Sequence, residues 1–250
     1  MDAYPLSTDD IVDLRWLALD DIAGSAWPGL HDWLDPGEQA KAAGFRFEGD
    51  RKAYVAAHAL ARSMLASRLG CPRAALRFAI GLYGKPELAM TPGAAPVRFS
   101  LSHTRGLVAV AVTGRHAVGV DAEAIIPDRL DPDPASRIFA PAEAALLRRL
   151  VPAAATDAAF AFWTLKEAYT KAIGLGLNHP FDTLTFTLDP LAVQPPPGSG
   201  EDAARWLLRS LRPTPAHALA LALRHPRPAA VRVDSRAIRP DELAPARGAA

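Results

Sequence analysis

The sequence predicts an α+β fold of two similar-sized lobes, and three observations carry that reading. Apolar residues recur at helical spacing over residues 53–69 and again over about 157–173. Short runs that read as strands, broken by turn residues, follow each of these helices. The order is helix, strands, helices, strands, in blocks, which favours α+β over a doubly wound parallel sheet. The lobes meet near 115–120. Their expected bounds are 1–117 and 118–238, with 239–250 as a flexible tail.

The elements follow in order. "AYVAAHALARSMLASRL" reads as a helix that stops at Gly70. "PVRFSLSHTRGLVAVAVTGRHAVGVDAEAI" reads as strands at 97–102, 107–113 and 117–123, separated by Thr104-Arg105-Gly106 and Gly114-Arg115-His116. "PAEAALLRRL", 141–150, is a helix with Pro141 in its first turn. "DTLTFTL" and "HALALALRH" alternate with period two and read as strands. Between them "PLAVQPPPGSGED" reads as an exposed loop.

Composition limits the function. Half of the 250 residues are apolar and 22% are charged, which is globular rather than disordered. With 28 basic and 27 acidic residues the net charge is +1, and a nucleic-acid binder working through bulk basicity is not expected. The single cysteine, Cys71, excludes an internal disulfide and a multi-cysteine metal site. No apolar stretch approaches the roughly 18 residues of a membrane span, and no signal-peptide pattern opens the chain, so a cytoplasmic location is expected.

The chemistry starts at "AVGVDAEAI". Asp121 and Glu123 stand two apart on a strand and so face the same side. Two carboxylates on an otherwise apolar strand either sit at a wet strand end or share a hard cation such as magnesium, which takes carboxylate and phosphate oxygens. The helix "FWTLKEAYTKAIGLGL" offers a third carboxylate, Glu167, between Lys166 and Lys171, with Trp163 one turn earlier on the same face. Glu167 and Lys171 are also an ordinary i, i+4 pair. Together the acids and lysines describe a magnesium–phosphate site. Ser102 and His103, at a strand end, can donate to phosphate, or can be plain turn chemistry. "YGKP", 83–86, offers a ring, a lysine and a rigid turn. There is no P-loop, dinucleotide fingerprint or nucleophile elbow.

The ordered set "RFEGDRKAYVAAHALAR", "YGKP", "FSLSHT", "VGVDAE" and "FWTLKEAYTKAIGLGL" resembles the 4′-phosphopantetheinyl transferases of the larger, Sfp-like type, over about residues 35–224. The resemblance implies a pseudo-twofold pair of α+β lobes with coenzyme A as co-substrate in the cleft between them. It implies transfer of the phosphopantetheine arm to a serine of an apo acyl or peptidyl carrier protein, with release of adenosine 3′,5′-bisphosphate. Carried over by motif, Asp121, Glu123 and Glu167 are the ligands of magnesium, with manganese as the alternative ion. Glu167, Lys171 and Asp121 are the catalytic set, Glu167 helping to deprotonate the serine. Lys171 and Lys166 would bind phosphates, Ser102 and His103 would contact the coenzyme A phosphates, and Tyr83, Lys85 and Pro86 match the adenine end. Arg51 and Lys41 lie where the family places basic residues near the 3′-phosphate. The sequence departs from the family pattern at Ser100, at Ala122 and at Glu38, which stands where a basic phosphate contact is expected.

A non-catalytic coenzyme A or carrier-binding module and a magnesium-dependent phosphohydrolase are the alternatives. The intact acid set argues against the module. The helix 141–150, with Leu146, Leu147, Arg148 and Arg149, is a candidate carrier surface. A monomer, with neither nucleic acid nor membrane as partner, is the simplest expectation.

Overall fold

A computed structural model describes residues 8–81, 85–89, 96–130, 133, 137–175 and 180–243. In chain order the elements are β1 (Ile11–Ala18), α1 (Trp27–His31), α2 (Pro36–Ala43), α3 (Glu48–Leu69), β2 (Phe78–Ile80), β3 (Pro86–Leu88), β4 (Arg98–Thr104), β5 (Leu107–Thr113) and β6 (Val118–Ala124). They continue with α4 (Pro141–Leu147), α5 (Pro152–Ile173), β7 (Thr185–Leu188), β8 (Leu191–Gln194), β9 (Trp206–Thr214), β10 (His217–Arg224), β11 (Arg232–Ala237) and α6 (Pro240–Leu243). The fold is α+β, as expected. None of the described helices is long and apolar enough to cross a membrane.

The chain divides into two compact units, Met1–Arg115 with Arg232–Ala250, and His116–Val231. In the first, α3 lies on a four-stranded sheet of order β11-β1-β5-β4. Tyr54, Val55, Leu60 and Leu65 of α3 bury against Phe99, Val108, Val110 and Val112. The helix ends where Gly70 takes a left-handed φ of 62°, which a residue without Cβ adopts freely. In the second unit α5 lies on the sheet β6-β10-β9. It starts on Pro152, whose missing N–H costs nothing in a first turn, and ends at Gly174 with φ 76°.

The expected strands at 97–102, 107–113 and 117–123 are β4, β5 and β6. Several expectations need correction. The loop reading of 190–202 overlooked β8, which pairs with β7. The residues assigned to the second lobe up to 238 include β11, which pairs in parallel with β1 from Ile11↔Arg232 to Trp16↔Ala237 and so belongs to the first unit. Part of the expected flexible tail is α6, whose Leu243 is buried in the first unit's core. The chain therefore leaves its first unit, builds the second, and returns.

Candidate active site

The site in the second unit is built on a close approach of α5 to β6. Gly119, Asp121 and Glu123 face the helix, whereas Val118, Val120 and Ala122 face away. A Cβ at Gly119 would collide with the carbonyl oxygen of Ala168 and lie 2.6 Å from the amide nitrogen of Ala172. Glycine is thus required for the helix backbone to rest on the strand. Ala220 and Ala222 of β10, beside Asp121 and Gly119 in register, keep the same face low. From that contact the geometry runs outward along the strand: Asp121 meets Lys171, and Glu123 meets Trp163.

Asp121 is buried, and its Oδ1 accepts from Lys171 Nζ at 2.6 Å. Trp163 Nε1 donates to Glu123 Oε1 at 3.2 Å, while the Arg129 guanidinium stands 3.7 Å from Glu123 Oε2. The Trp163 ring is held edge-on to Phe181 at 5.4 Å. Trp163 therefore orients a carboxylate, that of Glu123. Glu167 is 8% exposed, and its Oε1 has no hydrogen-bond partner among the described residues. Burial, with the nearby Asp121 charge adding to it, pushes its carboxyl up to about 7; Lys171 pulls the other way.

A buried carboxylate oxygen without a donor, beside further carboxylates, is the chemistry of a hard-cation site. The donor set fits magnesium. As the side chains stand, no set of three His, Cys, Asp or Glu among the described residues is gathered closely enough to hold an ion. Lys171 pairs with Asp121 Oδ1, and the Arg129 guanidinium stands near Glu123 Oε2. Asp121, Glu123, Glu167 and Lys171 are brought together by the fold.

Lys166 is not. It is fully buried on the core side of α5, where Nζ donates to the carbonyl oxygens of Phe181 (2.7 Å) and Leu184 and pairs with Glu143 Oε2 at 2.8 Å. All three ammonium donors are used, so the expectation that Lys166 binds phosphate is corrected: it is a structural ion pair. Glu143 completes the knot by accepting from the amides of Phe186 (2.7 Å) and Ala140 (2.8 Å). Burial pushes the Glu143 carboxyl up and the Lys166 ammonium down, while their mutual attraction opposes both shifts. Glu143 was missed. The available signal was Lys166 itself, which shares a helical stripe with Phe162 and Tyr169.

In the first unit, Ser102 and His103 lie near the C-terminal end of β4, just before its last residue, Thr104. Adjacent strand residues face opposite sides, and Ser102 is buried while His103 is exposed. The His103 ring is edge-on to Tyr54 at 6.4 Å, and Lys41 Nζ is 5.5 Å from the Tyr54 ring. Arg51 is exposed in the first turn of α3. Lys85 and Pro86 border a cavity of about 140 Å³ with Val97, Arg98 and Phe99. Tyr83 lies outside the described residues. Glu38 caps α2 with Asp35, pairs with Arg62 at 2.8 Å and lies 2.7 Å from His58 Nδ1. Burial would raise its carboxyl, but hydrogen bonds from His58 and the Asp35 amide, with the His58 and Arg62 charges, hold it below the usual value. Glu38 is a structural acid, and nothing about it can replace a phosphate contact.

Comparison with known proteins bears on the family. Residues 117–222 match the model of the 4′-phosphopantetheinyl transferase superfamily, and residues 23–115 match that of the 4′-phosphopantetheinyl transferase N-terminal region. The chain is 32% identical over 180 residues to 4′-phosphopantetheinyl transferase HetI of Nostoc sp., covering 72% of this chain and 74% of that protein. It is 26% identical over 156 residues to 4′-phosphopantetheinyl transferase Sfp of Bacillus subtilis, covering 62% and 67%. It is 27% identical over 227 residues to the human L-aminoadipate-semialdehyde dehydrogenase-phosphopantetheinyl transferase, covering 81% and 73%. A looser likeness, at 17% identity and a TM-score of 0.36 over 43% of this chain and 94% of the other, is to a holo-(acyl-carrier-protein) synthase of Bacillus anthracis in complex with CoA (3′,5′-ADP). The extent of the sequence matches, joined to the acid set on β6 and α5, assigns the family: the chain belongs to the 4′-phosphopantetheinyl transferase superfamily.

Proposed function

We propose that the chain transfers the 4′-phosphopantetheine arm of coenzyme A to a serine of an apo acyl or peptidyl carrier protein, with magnesium, releasing adenosine 3′,5′-bisphosphate. The observation that carries this reading is Glu167, a buried carboxylate with an unpartnered oxygen beside Asp121 and Lys171. Asp121, Glu123 and Glu167 would hold the ion. Bound there, magnesium supplies neutralisation of charge on the pyrophosphate oxygens. Lys171 would turn from Asp121 towards the phosphate, adding a second positive charge where the leaving group gains a negative one.

Glu167 Oε1 would accept the proton of the serine hydroxyl, directly or through one water; a carboxylate raised to about 7 is matched to that task near neutral pH. The serine oxygen forms a bond to the β-phosphorus as the bond from that phosphorus to the departing adenosine bisphosphate breaks. Trp163 keeps Glu123 in its rotamer. From the first unit, His103, Ser102, Lys85, Pro86, Arg51 and Lys41 are proposed as coenzyme A contacts.

The test is intact-mass spectrometry of an apo carrier incubated with the protein, coenzyme A and magnesium. The carrier is expected to gain one phosphopantetheine, and to lose that gain with EDTA or in Asp121→Ala. Binding of coenzyme A without transfer to fatty acid, polyketide or peptide carriers would instead support a binding module. Adenosine bisphosphate released without a carrier would support a hydrolase.

A further inference from the structure

We propose that the end of α4 together with the turn joining it to α5, residues 146–151, is the docking surface for an acidic protein partner, which on the function proposed above is the apo carrier protein. Leu146 is 40% exposed and Val151 69%. Between them Arg148 and Arg149 are exposed, while Leu147 is buried and pins the turn to the core. Among the described residues neither guanidinium has an acidic partner, whereas Arg137, Arg212 and Arg224 of the same unit pair with Asp182, Asp157 and Glu201. The helix expected over 141–150 ends at Leu147, and Arg148 and Arg149 lie in the turn beyond it.

The turn breaks local rules in a way that stability alone does not explain. Val151 is the N-cap of α5, a position where Ser, Thr, Asp or Asn would add about 1 kcal/mol, and it supplies no side-chain cap. The first turn of α5 carries no acidic residue. An exposed valine there gives up both capping and solvation, and departures of this kind gather at functional surfaces. Two unpaired guanidiniums between two exposed aliphatic side chains match a partner with carboxylates around an apolar spot. A chain of net charge +1, with no aromatic platform on this turn, is poorly suited to nucleic acid. The reach is adequate. Val151 and Glu167 are separated by roughly 24 Å of helix at 1.5 Å per residue, within the about 30 Å width of a small domain. One carrier domain can rest on the turn and still deliver a serine to Glu167.

The experiment is steady-state transfer by the full chain to apo acyl carrier protein and to apo peptidyl carrier protein, with KM for carrier and for coenzyme A determined separately. Arg148→Glu with Arg149→Glu is expected to raise the carrier KM at least tenfold and flatten its salt dependence, while the coenzyme A KM and the thermal midpoint hold. Val151→Asn supplies the missing cap, so it is expected to raise the thermal midpoint and yet raise the carrier KM several-fold; a purely structural turn would not respond in opposite senses. Arg227→Glu, half the charge change of the double variant at an exposed site elsewhere in the unit, is expected to leave the carrier KM unmoved. Transfer that proceeds with a carrier KM changed less than twofold in both turn variants overturns the surface and leaves the transferase standing. An equal rise in Arg227→Glu overturns it too, as bulk charge. A wild-type protein that modifies neither carrier brings down the transferase reading first, and this surface with it.

Discussion

Glu167 shows how one side chain records the state of the site. Burial and the Asp121 charge raise its carboxyl from the ordinary 4.5 to about 7. A group that holds its proton more tightly when folded stabilises the protonated fold. The contribution of Glu167 to metal-free stability should therefore be fully present below about 4.5, fall as pH rises from there to about 7, and be lost above that. The span corresponds to about 3 kcal/mol at most, at 1.36 kcal/mol per pH unit. Denaturant unfolding in EDTA at a series of pH values should show wild type losing this amount relative to Glu167→Gln between pH 4.5 and 7. A constant difference between the two proteins would mean that Glu167 is not buried against Asp121. The same residue explains why carboxylates were the readable part of the site and Lys166 was not. Asp121, Glu123 and Glu167 stand out as acids in apolar context, but whether a helical lysine faces ligand or core depends on which stripe packs inward. Only the pairing with Glu143 decides that.

At the scale of elements, the site is a consequence of how closely α5 rests on β6. The side chains that carry chemistry project from two regular elements held in contact by Gly119, Ala168 and Ala172, with Ala220 and Ala222 alongside. Gly119→Ala would force the helix off the strand, and overpacking of this kind costs about 1–3 kcal/mol. The expected result is a folded but less stable protein whose transfer rate falls far more than its stability, since a displacement of about 1 Å at catalytic groups can cost a hundredfold. Circular dichroism melting beside the mass-spectrometric transfer assay separates the two effects, and full activity in Gly119→Ala would refute the close-contact account. These elements were legible because each repeats its period cleanly: α3 and α5 over 22 residues each, β5 and β10 as apolar runs. Other strands were not, each for its own physical reason. β8 is a short "LAVQ" beside a proline and glycine run, so composition hides it. β11, "RVDSRA", lies at a sheet edge with its residues almost all exposed, so no inward face marks it. β1 does alternate, with Val12 and Leu14 buried, but Asp13 and Arg15 interrupt the apolar run on the other face.

For the whole molecule, the consequence lies in the order of the chain. The first unit closes only when β11 pairs with β1 and Leu243 enters its core, so its sheet joins residues 11–16 to 232–237 across the entire second unit. The second unit, His116–Val231, is continuous and draws its core from α4, α5 and β7–β10. Contacts of such long sequence separation form late, because their loop-closure entropy is met before they stabilise anything. A chain ending at Val231 would leave the outer edge of β1 unpaired, together with the Arg15–Asp234 ion pair at 2.6 Å and the packing of Ile238 and Leu243 on the core. Limited proteolysis of that truncation is expected to cut within residues 8–115 while 116–231 stays protected, whereas the full chain protects both. Equal protection of the two segments in the truncated chain would show that β11 only decorates the first unit. The predicted asymmetry also bears on mutation: substitutions on the edge strand β11, far in sequence from the acids of β6 and α5, should lower the stability of the first unit and leave the carboxylate geometry of the second unchanged.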